Sequence, residues 1–306
     1  MKILVISSNL IGDTILSTGV VDHFLKNNPN AQFTFIIGPT AGQIYQHFPN
    51  LEKIILIKKE KFNTHWLTMY LHCWNIKWDI IVDLRSSFLS FLLFHKKKYI
   101  FKKDKKKHHL DQLISFFQSH DSDLNIYISS KEESIVKNKL NPQYKYVVIF
   151  PGGNWEPKIW PSSNYNQLLK ILLKKFSNIK FITVGSAKEE NLYLNSIKKN
   201  IPEDKIINLM GVSLTLTSAY MKKSHLFIGN DSGLMHLSVA SHLNTIGLFG
   251  PTNDHIYGHR RKNCFVIRTK EDYNYFNRLT LEKNKSYMTT IHPDQVVDII
   301  TDNNLL

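Results

Sequence analysis

Short, almost uninterrupted apolar runs alternate with segments of helical spacing, and the alternation starts twice. Residues 3–6, 33–37, 51–57 and 80–84 read as strands, and residues 14–26 as a helix with Ile15, Val20, Val21 and Phe24 on one side. Residues 110–117 look helical. After the turn signal Asn141-Pro142-Gln143 the pattern begins again, with strands at 146–150, 181–184, 206–209, 226–228 and 245–249. Helices are expected between them at 165–176, 214–222 and 232–241. Runs apolar throughout suit strands buried on both faces, hence parallel sheets covered by helices. A chain of 306 residues is long enough for two such domains. The expected division is 1–143 and 144–290, with residues 291–306 forming a last segment around a helix at 293–300.

In open sheets of this kind ligands bind beyond the carboxyl ends of the strands. Residues 229–233 read Gly-Asn-Asp-Ser-Gly between a strand and a helix. Unpaired N–H groups and the helix dipole make such a junction an anion site. Asp231, Ser232 and Gly233 lie at it, and His236 one turn in. The same residues also fit a capped helix with a core histidine. Residues 151–161, PGGNWEPKIWP, put Lys158 in a glycine-rich loop at a strand end, where an ammonium can neutralise phosphate; a merely solvated lysine fits too. The first loop, SSNLIGD, is neither a GxGxxG nor a Walker loop. Its Asp13 is a helix cap or a carboxylate available as a general base.

Lys and Arg number 39 against 25 Asp and Glu, a formal charge of +14, so an anionic partner is expected. The charge concentrates in KKKYIFKKDKKKHH, residues 96–109. That run is read as a contact for an acidic acceptor or for the anionic inner face of a membrane. Nucleic acid is set aside, because no module signature accompanies the lysines. The two cysteines, Cys73 and Cys264, make no framework or metal spacing, which fits a reducing cytoplasm. The N-terminus is not a secretory signal, and residues 88–94 fall far short of the ~20 residues of a membrane span. Any membrane association is therefore expected to be peripheral. His255 and His259 stand at i, i+4 spacing but without a convergent acid or thiol, so no metal site is expected.

Taken in series, ILVISSNLIGDTILST, DIIVDLRSS, PGGNWEPKIWP, VGSAKEE and GNDSGLMHLSVA followed by LFGPTND resemble the bacterial lipopolysaccharide heptosyltransferases, glycosyltransferase family 9. The resemblance runs over nearly the whole chain, and Gly-Asn-Asp-Ser-Gly-x-x-His with Gly-Pro-Thr carries most of it. It implies an α/β protein of GT-B fold: two Rossmann-like domains facing across a cleft, the acceptor on the N-terminal one and the nucleotide-sugar on the C-terminal one. The last helix is expected to cross back to the N-terminal domain. It implies inverting transfer of heptose from ADP-heptose to the lipopolysaccharide inner core, with no metal and no cofactor.

By motif, Asp13 takes the role of base. Lys158 holds the diphosphate, with Gly153 and Asn154 in its loop. Glu189, or failing it Glu190, meets the ribose and the backbone near Val212 the adenine. Asp231, Ser232, Gly233 and His236 surround pyrophosphate and sugar. Arg85, Lys106 and His108 are candidates for the acceptor wall, with His109 and Asp111 beside them. The expected rivals are a transferase of the same fold using another nucleotide-sugar and a non-catalytic nucleotide-sugar or glycolipid binder.

Overall fold

Every strand pair in the computed structural model is parallel among the residues it describes, 1–58, 65–119, 123–198 and 201–306. The chain divides into two compact units, Met1–Ser129 and Ser130–Leu306. The boundary falls earlier than the expected 143/144 because the helix Ser130–Lys139 packs on the helix Leu214–Met221 of the second unit. Its buried Glu132 accepts a 2.6 Å hydrogen bond from the Thr215 hydroxyl.

The first unit carries β1 (Lys2–Ile6), β2 (Gln32–Ile37), β3 (Leu51–Leu56), β4 (Trp78–Asp83) and β5 (His95–Ile100), in the order β3-β2-β1-β4-β5. Ile3, Leu4, Val5 and Ile6 of β1 are wholly buried, as a central strand covered on both faces requires. β5 is the one element of this sheet hidden from sequence reading, since it lies within the lysine run. Its position explains the composition: an edge strand tolerates lysines, which discourage further strand addition.

The helix expected at residues 14–26 is two helices, Ile11–Leu16 and Thr18–Asn27. Ser17 Oγ donates to Thr14 O and Thr18 Oγ1 to Ile15 O, both at 2.8 Å. Such back-bonding competes with the helical ladder and breaks it there. Asp13 lies in the first turn of the shorter helix.

The second unit carries β6 (Lys145–Phe150), β7 (Ile179–Gly185), β8 (Ile206–Met210), β9 (Leu226–Asn230), β10 (Asn244–Phe249) and β11 (Cys264–Arg268), in the order β11-β10-β9-β6-β7-β8. The order reverses between β1 and β4 in one sheet and between β6 and β9 in the other. Those reversals are where open α/β sheets bind ligands.

The final helix, Pro293–Asp302, packs against the helix Ser162–Lys175, and its Val296, Val297 and Ile300 enter the core of the second unit. This apolar face lies within the second unit. Trp160 anchors the same region. It is fully buried, its indole donates to Ile291 O at 2.9 Å, and it meets Tyr165 edge-on at 4.7 Å. Trp160→Ala is expected to lower unfolding free energy by about 4 kcal/mol, the cost of a large core cavity, readable as a shifted denaturant midpoint.

Candidate functional site

The reversal point of the first sheet holds a cavity of about 210 Å³ whose lining includes Asp13, Arg85, Ser86, Lys103 and His109. β1 delivers Asp13, and β4 delivers the turn that follows it. The turn is organised by buried Asp83, whose two carboxylate oxygens accept from the N–H groups of Arg85 (3.0 Å) and Ser87 (2.7 Å). Burial pushes the Asp83 carboxyl up against these hydrogen bonds. Between them Ser86 takes φ of 53°, a left-handed conformation costing about 1 kcal/mol for a residue with a side chain. Its hydroxyl donates to Phe101 O at 2.8 Å, so the turn is tied to the end of β5.

Asp13 does not cap its helix: the N-cap is Leu10, without a side-chain bond. Its Oδ1 instead accepts from Lys103 Nζ at 3.0 Å and stands 3.6 Å from His109 Nε2. Lys103 therefore does what the sequence could not single out from the neighbouring lysines. His109 is buried, and its Nδ1 has no hydrogen-bond partner among the described residues. Burial pushes its imidazole down to about 4; the Lys103 ammonium adds to the shift and the Asp13 carboxylate opposes it. The ring is thus neutral at neutral pH.

A native pKa below that of the unfolded chain means protons are taken up on unfolding between the two values. Stability from this group is complete above about pH 6.5 and is lost as pH falls toward about 4. His109→Gln is expected to shrink the drop in Tm across that window relative to wild type, measured by thermal scans at both ends.

Two other acceptor candidates lie elsewhere. Lys106 is exposed in the turn after β5 and does not line the cavity. His108 is the N-cap of the helix His109–Phe117: its Nδ1 accepts from Asp111 N at 3.4 Å and lies 3.1 Å from Asp111 Oδ1. Arg85 does line the cavity, and its Nη1 donates to Asn9 Oδ1 at 3.4 Å.

At the reversal of the second sheet, the loop after β6 meets the junction after β9. Buried Asn230 joins them. Its Nδ2 donates to Gly152 O at 2.8 Å and its Oδ1 accepts from Trp160 N at 3.0 Å. Sequence reading left Asn230 out of the site; its side chain fixes the backbone on which Lys158 stands. Lys158 closes a short 3-10 turn, Glu156–Lys158, half-buried. Its charge reaches Asp231. Burial pushes the Asp231 carboxyl up, Lys158 opposes that, and Asp254 adds to it. Thr252 lies beside Asp231 and helps to hold its carboxylate charged against the burial.

Ser232 caps the helix Gly233–Ala240, accepting from Met235 N at 3.4 Å, and leaves Gly233 and Leu234 partly open at the helix N-terminus. His236 is buried, with Nδ1 2.8 Å from His259 Nε2. Ser232 is thus a cap, and His236 is a buried residue packed against His259.

Glu189 sits beside the loop after β6. Its carboxylate accepts from Ser186 N (2.7 Å) and Oγ (2.8 Å) in a capping box, and it lies so close to Gly152 that a Cβ there would stand 2.5 Å from Oε1. Glu190 is turned away onto Asn208 Nδ2 at 2.6 Å. Gly211, at φ of 79°, makes the left-handed turn that brings half-buried Val212 after β8. Gly153 packs on Ile159, and Asn154 is exposed at the loop tip. Among the described residues no three His, Cys, Asp or Glu side chains are grouped to hold one metal ion.

Two units of parallel sheet, each with polar side chains gathered at its reversal point, have the GT-B fold. The family profile of glycosyltransferase family 9 (heptosyltransferase) matches residues 84–286, and the chain belongs to that family. The lipooligosaccharide heptosyltransferase 2 of Campylobacter jejuni is 26% identical over 270 residues, covering 82% of each chain. The family 9 glycosyltransferase of Veillonella parvula superposes with a TM-score of 0.77 at 20% identity, over 98% of this chain and 96% of that one. The Escherichia coli heptosyltransferase WaaC, solved with ADP, gives 0.76 at 16% identity, over 99% and 100%.

Proposed function

We propose that the chain transfers heptose from ADP-heptose to the inner core of lipopolysaccharide with inversion at the anomeric carbon, without a metal. Asp13 removes the proton of the acceptor hydroxyl. Lys158 and the N–H groups behind Ser232 take up the charge that collects on the departing diphosphate. The observation that carries this reading is the Asp13 carboxylate. It lines a cavity at a sheet reversal, and its neighbours there are a cation and a neutral imidazole rather than a cap.

In inverting transfer the acceptor hydroxyl attacks from the face opposite the leaving group. Its proton passes to the base as the new glycosidic bond forms and the C–O bond to diphosphate breaks. A carboxylate held by the acceptor unit and fixed positive charge in the donor unit divide the work accordingly. Arg85 and Lys103 give the cavity a positive wall, which suits an acceptor bearing phosphate or carboxylate groups. On the donor side, Glu189 is offered to ribose hydroxyls and the backbone at Val212 to adenine. Asp231, Gly233 and Thr252 line the pyrophosphate end. His236, locked against His259, supports the helix from behind.

The test is transfer itself. Purified protein is incubated with ADP-heptose and a panel of truncated, lipid-linked core acceptors, and product mass is followed, with UDP- and GDP-sugars as competing donors. A gain of one heptose from the ADP donor alone is expected. Transfer from a UDP- or GDP-sugar instead would move the reading to another nucleotide-sugar. Tight ADP-heptose binding without transfer to any acceptor would reduce it to a binder.

A further inference from the structure

The first unit carries an apolar cluster that its own core does not use. In the segment between β4 and β5, Leu89 and Leu93 are buried and hold it to the sheet. Phe88, Phe91, Leu92 and Phe94 face outward, 69, 59, 50 and 69% exposed. The short helix Leu89–Leu92 packs on the helix His65–Cys73, where Leu67, Leu71 and then Trp74 follow at i, i+4 and i+7, all about half exposed or more. Single exposed apolar residues are ordinary; a gathered group of large ones marks an interaction surface.

Cations border the group. β5 follows directly with Lys96, Lys97 and Lys98, and Lys98 Nζ lies 4.0 Å from the ring centre of Phe91. The exposed Lys102, Lys105, Lys106 and Lys107 come next along the chain. Protection of an edge strand accounts for the lysines of β5. It does not account for three phenylalanines and a leucine turned to solvent beside them.

We propose that this face docks on an anionic lipid bilayer, with Phe88, Phe91, Leu92 and Phe94 entering the headgroup boundary and the lysines of β5 lying against lipid phosphates. Aromatic and aliphatic residues beside a basic rim are the chemistry of interfacial binding, in which a shallow apolar insertion and the surface potential each supply part of the affinity. Charge argues against a second copy as occupant. A two-fold contact through this face would bring its lysines onto the same lysines. The inference concerns where the protein sits and does not depend on the donor or on the transfer step.

The experiment uses the full chain and sedimented vesicles of phosphatidylcholine alone or mixed with phosphatidylglycerol. Binding is expected to the mixed vesicles only, weakening as salt rises. Phe88→Ser/Phe91→Ser/Phe94→Ser is expected to lower the partition at least about tenfold with an unchanged melting curve, since the three side chains leave little core behind. Lys97→Glu/Lys98→Glu is expected to lower it comparably. No binding of wild type to mixed vesicles overturns the proposal, as does undiminished binding of the serine variant. A wild-type dimer in light scattering that the serine variant dissolves also overturns it, and makes the face a contact between copies.

Discussion

Asp13→Asn is expected to lower kcat by about 10²–10⁴-fold, the range for losing a positioned general base, with binding of ADP-heptose unchanged. Asparagine keeps the shape of the side chain and can still accept from Lys103, but it cannot take the acceptor proton. The fold should survive. The Asp13–Lys103 pair is about one-quarter exposed on each side, and the asparagine oxygen still gives the Lys103 ammonium a hydrogen-bond acceptor, so no buried charge is left without one. A transfer assay beside a calorimetric titration with ADP-heptose separates the two effects. An Asn variant that transfers at the wild-type rate would remove Asp13 from the chemistry.

The second large effect is expected from Lys158→Ala. Removing the fixed cation at the leaving group should lower kcat by about 10²–10³-fold, and inhibition by ADP should weaken with it. Lys158 also opposes the burial that pushes Asp231 up, so its loss drives that carboxyl further toward its neutral form. Lys158→Arg retains the charge and should recover part of the rate. Because the loop is held by Asn230 and Trp160, not by Lys158, the melting curve should hold in both variants. Unchanged ADP inhibition in the alanine variant would place the diphosphate elsewhere.

Much of the site was legible because it lies in contiguous stretches. Strand-ending loops carry Asp13, Lys158, Glu189 and Asp231, and a parallel sheet puts strand ends at one edge whatever its details. Three features escaped for different reasons. β5 hides in the lysine run because an edge strand needs few apolar residues. Asn230 lies inside a strand-ending motif, and nothing local distinguishes it as the residue that reaches across to Gly152. Lys103 approaches Asp13 from 90 residues away, and no local pattern separates it from Lys106; His109 was among the candidates, but nothing local sets it at Asp13 in preference to His108. One residue along a helix start decides between a cap and a cavity wall.

The sequence by itself determined the two parallel sheets, the loops at their carboxyl ends and the family, because apolar periodicity and motif order are written along the chain. The tertiary structure alone decided which cations meet which carboxylates. It also decided that His236 turns to His259, and that the last helix packs into the second unit. Those outcomes depend on through-space distances between residues remote in sequence, where a difference of one position changes the direction of a side chain and so the partner it finds.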